Sequence, residues 1–236
     1  MIMKLRNSLW ILSVAVFFAA CQKDNYSAPK TTLSGALLYQ GDTLYMGAHQ
    51  VTFQLWQSGF GKMTPINVNV DQNGSYSSLL FDGTYQLVIP SGQGPFIADN
   101  INSATPSDTL TVQLHGNTKQ DIEVLPYYLI QAATFSLEGG SVKAQCDLQQ
   151  VITDDRARPV ESLILYVNKT QFVDNNYNIA TMALSGSDVP IGQPVDLQVA
   201  VPDMTPTQDY VFARIGLKIQ NVEDMLFSRV VKIQLP

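Results

Sequence analysis

Charge is scarce in this chain of 236 residues: only 14% are Asp, Glu, Lys or Arg. The 14 basic residues form no cluster, and against 20 acidic ones they leave a formal charge of -6. That balance excludes a nucleic-acid binder, which needs a basic surface to neutralise phosphates. Cysteine numbers two, too few for a disulfide scaffold. Histidine also numbers two, His49 and His115, far apart in the chain. Neither stands in a His-Glu-x-x-His zinc motif, and no Gly-x-Ser-x-Gly nucleophile elbow occurs. Glutamate is reduced to Glu123, Glu138, Glu161 and Glu223, a thin supply for the paired carboxylates of glycoside hydrolysis. No stretch of ten or more residues carries a helical apolar stripe. The expectation is a protein without catalysis, cofactor or metal. With 45% hydrophobic residues it is nevertheless rich enough to bury real cores.

The chain's long uncharged apolar run lies at its start. Lys4 and Arg6 precede twelve uncharged residues, Leu9 to Ala20. That length falls short of the roughly 20 residues a bilayer span needs, and suits a secretory signal. Phe18-Ala19-Ala20 leads directly into Cys21. Two small residues before a cysteine resemble the lipobox of bacterial lipoproteins, which implies acylation of Cys21 and anchoring to a membrane, stable once two chains are attached. Phe18 departs from the usual leucine of that motif. Removing residues 1–20 takes away Lys4 and Arg6 and no acid, so 12 basic residues face 20 acidic ones, net -8. Gln22-Lys23-Asp24-Asn25 resembles the short charged export signals that send Bacteroidetes lipoproteins to the cell surface. Residues 21–30 read as a lipidated tether, because Ser27, Ala28 and Pro29 offer no core face.

From Thr31 onward the period is two. Val51, Phe53 and Leu55 share a face, as do Tyr85, Leu87 and Ile89, then Leu110, Val112 and Leu114. Turn signals intervene at Asp71-Gln72-Asn73-Gly74, Asp82-Gly83 and Ser91-Gly92-Gln93-Gly94-Pro95. The first of these has a faint calcium-loop flavour, but a hairpin turn explains every residue in it. A second set follows. Residues 128–137 and 141–151 flank the hairpin signal Gly139-Gly140; Val195, Leu197, Val199 and Val201 alternate strictly, as do Val211, Ala213, Ile215, Leu217 and Ile219. Short strands at this spacing predict an all-β chain of two antiparallel β-sandwich domains in tandem, spanning 31–126 and 127–236, with the angle between them set by a few residues around Pro126. Cys146, in phase with Val142, Ala144 and Leu148, is predicted to be buried and inert.

Thr32-Leu33-Ser34-Gly35-Ala36-Leu37, Asp71-Gln72-Asn73-Gly74-Ser75-Tyr76 and Phe81-Asp82-Gly83-Thr84-Tyr85 resemble the carboxypeptidase regulatory-like module, a transthyretin-like sandwich. The resemblance implies that fold for the first domain, followed by an Ig- or fibronectin-like one. Adding Asp24-Asn25-Tyr26-Ser27-Ala28-Pro29, Gly94-Pro95-Phe96 and Asp121-Ile122-Glu123-Val124-Leu125-Pro126-Tyr127, the wider pattern resembles the Bacteroidetes lipoprotein family called domain of unknown function 3823. That resemblance implies an outer-membrane lipoprotein encoded beside SusC/SusD-type glycan-uptake proteins. The family has no established catalytic residues, so none is carried over.

Aromatic residues are the candidates for contact. Sugars present C–H faces that stack on rings. Val51, Phe53 and Leu55 point inward, so Trp56 points outward with Thr52 and Gln54. Phe60 follows in a loop after Ser58-Gly59, Phe96 sits in the Gly94-Pro95 loop, and Tyr177 lies in Asp174-Asn175-Asn176-Tyr177-Asn178. Two functions stay open: capture of an oligosaccharide for an uptake system, or service as a structural spacer in an outer-membrane assembly with no glycan affinity. In the second, Trp56 covers a seam with a partner or with the other domain.

Overall fold

A computed structural model describes residues 27–59, 62–101 and 107–236. The signal segment, Cys21 and Phe60 lie outside the described residues. The N-terminal half holds β1 (Thr31–Tyr39), β2 (Asp42–Thr43), β3 (Tyr45–Met46), β4 (Thr52–Trp56), β5 (Ile66–Asn69), β6 (Ser75–Leu80), β7 (Gly83–Val88), β8 (Phe96–Ile97), β9 (Thr109–Leu114), β10 (Thr118–Lys119), β11 (Ile122–Glu123) and β12 (Leu125–Pro126). The C-terminal half holds β13 (Tyr128–Glu138), β14 (Ser141–Gln150), β15 (Val160–Asn168), β16 (Ala180–Ser185), β17 (Pro194–Ala200), β18 (Tyr210–Ile219), β19 (Leu226–Phe227) and β20 (Val231–Gln234). No helix among the described residues is long and apolar enough to cross a membrane.

Each half is two sheets face to face, built by the alternation read above. In the first, the sheet β5-β4-β7-β9 packs Phe53, Leu55, Val68, Tyr85, Leu87, Val112 and Leu114 against a sheet centred on β1, which contributes Leu33 and Leu37. Phe53 meets Tyr76 edge to face, 4.7 Å between centroids, the arrangement that aromatic quadrupoles favour. In the second, β13-β14-β17 covers a sheet containing β16, β15, β18 and β20. Gly139 and Gly140 take φ of 55° and 77° in the β13–β14 turn, which only glycine adopts cheaply at both positions. Cys146 is buried as expected, and burial, aided by Asp147, pushes its thiol up to about 12, so it carries no thiolate at neutral pH.

Three features differ from the sequence expectation. First, pairing is not antiparallel throughout: β10 and β11 both run parallel to β1, with Leu33 opposite Thr118 and Leu37 opposite Ile122. The two short strands are separated at Gln120-Asp121, where Gln120 donates its N–H to Ser34 and the Asp121 carboxylate accepts the N–H of Ala36. Second, the turn at 71–75 is not a hairpin. It carries the chain from β5 in one sheet to β6 in the other, closed by Gly74 N–H on Asp71 O at 2.9 Å with Gly74 at φ 77°. Third, the halves interlock. β3 leaves its own sandwich and pairs with β19, Tyr45 opposite Phe227 and Met46 opposite Leu226, so the first half completes a sheet of the second. The buried apolar cluster is continuous from Leu33 to Ile233. The link at Pro126 is also tied down: β12 pairs with β8, and Tyr127 donates to Pro95 O and accepts from Val151. The relative placement of the halves is therefore fixed by the whole seam, not by Pro126 alone.

One seam contact is titratable. Asp224, buried, accepts the N–H of Gly94 at 2.7 Å from the opposite half. Burial lifts its carboxyl above the usual carboxylate range, Gly94 pulls it back, Glu223 adds to the rise and Lys218 opposes it. The native state thus holds this proton more tightly than the unfolded chain. Its contribution to stability is largest at acid pH and falls as pH rises from about 4 through the raised native value. Asp224→Asn keeps an acceptor for Gly94 but cannot ionise. Melts of this variant between pH 4 and 7 are expected to show a flatter decline with pH than the wild type and no loss of midpoint at pH 7. A steeper decline would refute the assignment.

Candidate functional site

Trp56 stands on the outer face of β5-β4-β7-β9, as its parity demands, half-buried among its strand neighbours. The register identifies what surrounds it. Trp56 lies opposite Gln86, and Gln86 opposite Thr111. One row away, Asn67, Gln54, Val88 and Thr109 cross the sheet in order. Thr52 pairs with Asn69, and Thr84 with Gln113. This face of four strands, about 14 Å across at the usual strand spacing, contains no charged side chain. Its surface is amides, hydroxyls, one valine and one tryptophan. Gln86 Oε1 accepts from Thr111 Oγ1 at 3.0 Å, and Asn69 Oδ1 from Thr52 Oγ1 at 2.9 Å. Both bonds use the amide oxygens, leaving the NH2 donors of Gln86 and Asn69 without a protein partner among the described residues. An aromatic plane beside rows of neutral amides and hydroxyls, with the NH2 groups of Gln86 and Asn69 turned away from these bonds, can offer both a stacking face and polar contacts.

The other aromatic candidates scatter. Phe60 lies outside the described residues. Phe96 is not an exposed loop ring: it is 5% exposed, within β8, paired with Pro126 and stacked on Gly94, where a Cβ would lie 2.2 Å from its ring. The sequence could not show that β12 would close over it. Phe96 does border a cleft of about 450 Å³ at the seam, with Tyr127, Gln93, Asn221, Asp99 and Glu223 around it. Tyr177 is 56% exposed and stands in a different place, on the loop between β15 and β16. The structure therefore does not gather Trp56, Phe96 and Tyr177 into one site. His49 and His115 are both exposed, and among the described residues no group of three His, Cys, Asp or Glu could hold a metal ion.

The seam contains the residues that sequence reasoning missed. Arg214 is wholly buried at an even position of β18, where alternation reads as a solvent face. Its Nε donates to Ser228 O at 2.7 Å, Nη2 to Gln72 O at 2.8 Å and Nη1 to Val173 O at 3.4 Å. The guanidinium lies 4.3 Å from the centre of the Phe227 ring. Burial draws it down to about 9, against the pull of Asp174, so it stays cationic at neutral pH. Asp174 is also wholly buried; its Oδ1 accepts from the N–H groups of Asn176 and Tyr177, and its Oδ2 has no hydrogen-bond partner among the described residues. Gln72 belongs to the 71–75 turn, so that turn's real work is docking one half onto the other. An arginine in the middle of a strand whose other charge, Lys218, stands near its end was the available signal.

Two family models divide the chain between them: the N-terminal domain of the protein of unknown function DUF3823 matches residues 31–125, and the DUF3823 C-terminal domain of unknown function matches 128–232. The chain belongs to the DUF3823 family. Solved members of that family share its fold. One from Parabacteroides merdae is 30% identical with a TM-score of 0.76, and one from Bacteroides ovatus 27% identical with the same score; each comparison covers 88% of this DUF3823 chain and 100% of the other. A structure described as a candidate carbohydrate binding protein from Bacteroides uniformis has the same fold at 16% identity, with a TM-score of 0.69 and the same coverage. No curated protein matches this DUF3823 sequence.

Proposed function

We propose that this protein is a non-catalytic, lipid-anchored component of the outer membrane that captures a neutral glycan on the outer face of β5-β4-β7-β9, as an accessory of a SusC/SusD-type uptake system. The observation that carries the reading is the uncharged amide and hydroxyl face around Trp56. In a chain of net charge -6, a four-strand surface without a single Asp or Glu suits a ligand that is itself uncharged. A same-fold protein described as a candidate carbohydrate binder is consistent with it. Anchoring through Cys21, and exposure at the cell surface, rest on the signal segment and on Gln22-Lys23-Asp24-Asn25.

The spacer reading draws on a different observation, the interlocked halves. A strand shared between sandwiches makes a stiff unit of the kind a strut requires. Affinity electrophoresis of the mature chain through gels containing xyloglucan, galactomannan, laminarin or arabinoxylan separates the two. Capture is expected to retard the protein in at least one gel. Trp56→Ala, at a half-buried outer-face position, is expected to weaken that retardation at least tenfold, about 1.4 kcal/mol. Mobility unchanged in every gel would leave the spacer.

A further inference from the structure

Among the described aromatic residues only two are strongly exposed, Phe172 at 47% and Tyr177 at 56%. They share the loop between β15 and β16, and that loop is held in place unusually firmly. Asn168, nearly buried at the end of β15, donates through Nδ2 to Phe172 O at 2.6 Å and accepts the N–H of Lys169 at 2.9 Å. Asp174 caps the N–H groups of Asn176 at 2.8 Å and Tyr177 at 2.9 Å, donates its own N–H to Tyr177 O at 3.1 Å, and accepts Asn178 Nδ2 at 3.1 Å. Val173, wholly buried, plugs the loop into an apolar cluster with Tyr166, Met225 and Phe227. The opposite half adds two anchors: Gln50 Nε2 donates to Asn175 Oδ1 at 2.8 Å and Gln72 Nε2 to Gln171 O at 3.0 Å.

Burying Asp174 is unfavourable in itself, the more so with Oδ2 unpartnered. That buried arrangement serves the Arg214 seam and at the same time fixes the backbone under Phe172 and Tyr177. Folding alone gives no reason to fix exposed rings, since neither contributes to a core. A binding surface does, because a loop ordered in advance loses little entropy when a ligand arrives. The exposed side chains beside the rings are Thr170, Gln171, Asn175, Asn176 and Asn178, all neutral hydrogen-bonding groups. The ammonium of Lys169 is engaged by Thr205 O at 3.2 Å, and the Asp174 carboxyl group is buried near Arg214.

We propose that the 169–178 loop is a second carbohydrate contact, separate from the Trp56 face and taking the same class of ligand, an uncharged glycan whose ring faces stack on Tyr177 and Phe172. The inference rests on the reading that the protein binds neutral glycans. Two contacts on one rigid chain engage a long polysaccharide together, so affinity for the polymer exceeds that for a short oligosaccharide by more than either contact supplies.

The test uses the mature chain in four forms: wild type, Trp56→Ala, Tyr177→Ala and Tyr177→Phe. Each is run through gels of whichever neutral polysaccharide retards the wild type, and titrated calorimetrically with a hexasaccharide of that polymer. Tyr177 is exposed, so its replacement leaves the fold intact, and unchanged melting will confirm it. Tyr177→Ala is expected to weaken polymer retardation about tenfold and to reduce the hexasaccharide stoichiometry from two to one, while Tyr177→Phe retains both. Wild-type stoichiometry of one, with binding unchanged in Tyr177→Ala and lost in Trp56→Ala, would overturn the second contact and leave the Trp56 face standing. No retardation of the wild type in any gel would overturn both.

Discussion

Arg214→Ala is expected to destabilise the protein by about 3–5 kcal/mol, the range for removing one member of a buried charged arrangement. Three carbonyl oxygens lose their donor at once, those of Ser228, Val173 and Gln72, and they come from both halves of the molecule. Asp174, wholly buried, loses the cation near it. Phe227 loses the guanidinium 4.3 Å from its centre. Lysine is no substitute: its single ammonium lacks the planar fork that reaches three acceptors in different directions. In thermal melts, a loss of this size corresponds to a drop of roughly 10 °C for a chain of this length. Arg214→Met separates packing from polarity. It fills much of the volume but leaves the carbonyls and Asp174 unsatisfied, so it is expected to recover little. A midpoint within a degree or two of wild type for either variant would show that the seam does not depend on this side chain.

Gly35→Ala is the second large effect, expected at about 3 kcal/mol, the upper part of the range for overpacking a close contact. A Cβ on Gly35 would lie 1.9 Å from the carbonyl oxygen of Gln120 and 2.9 Å from the Tyr76 hydroxyl. The first of these is backbone, locked by Gln120 N–H on Ser34 O at 2.8 Å, so it cannot step aside as a flexible side chain would. The Tyr76 hydroxyl donates to that same Gln120 oxygen. Burial, reinforced by Asp121, holds this phenol well above its ordinary range, so it remains a donor at any pH the protein meets. Adding one methyl therefore disturbs the parallel junction of β1 with β10 and β11 and the tyrosine bond that closes it. Urea unfolding of Gly35→Ala should show a lower midpoint with an unchanged slope. An unaltered midpoint would mean that the junction relaxes freely, contrary to its geometry.

Much of the fold was legible because a strand's side chains alternate by strict geometry. Phe53 and Leu55 inward and Trp56 outward follow from counting, and the structure places all three accordingly. Gly139-Gly140 reads as a turn for the same local reason: two successive positive φ angles select glycine. The neutrality of the Trp56 face was present in the letters Thr52, Gln54, Asn67, Gln86 and Thr111, but joining them required the register. Paired residues on this face stand as far apart in sequence as Gln54 and Val88, and the pairings are chosen by the collective packing of the core. Phe96 shows the converse. Its loop context, Gly94-Pro95, suggests exposure, and only the arrival of β12 thirty residues later buries it.

By itself, the sequence determined the class: two sets of period-two segments with glycine turns between them, hence sandwiches, and a short apolar segment ending at Cys21 as an expected lipid anchor. It also determined the side of its sheet on which strand residues stand, except at the irregularities in β13 between Gln131 and Thr134 and in β15 between Val160 and Ser162. What lies against that side was decided by tertiary structure alone. Arg214 and Gln54 both occupy the non-core phase of their strands, yet one is sealed under the other half and the other is half-exposed among neutral amides. The physical reason is that alternation is a property of the backbone of one strand, whereas burial is a property of everything that packs against it. β3 joining β19 across the seam, the 71–75 turn docking on Arg214, and the hold of Gln50 and Gln72 on the 169–178 loop all arise from contacts between segments far apart in the chain, which no local pattern encodes.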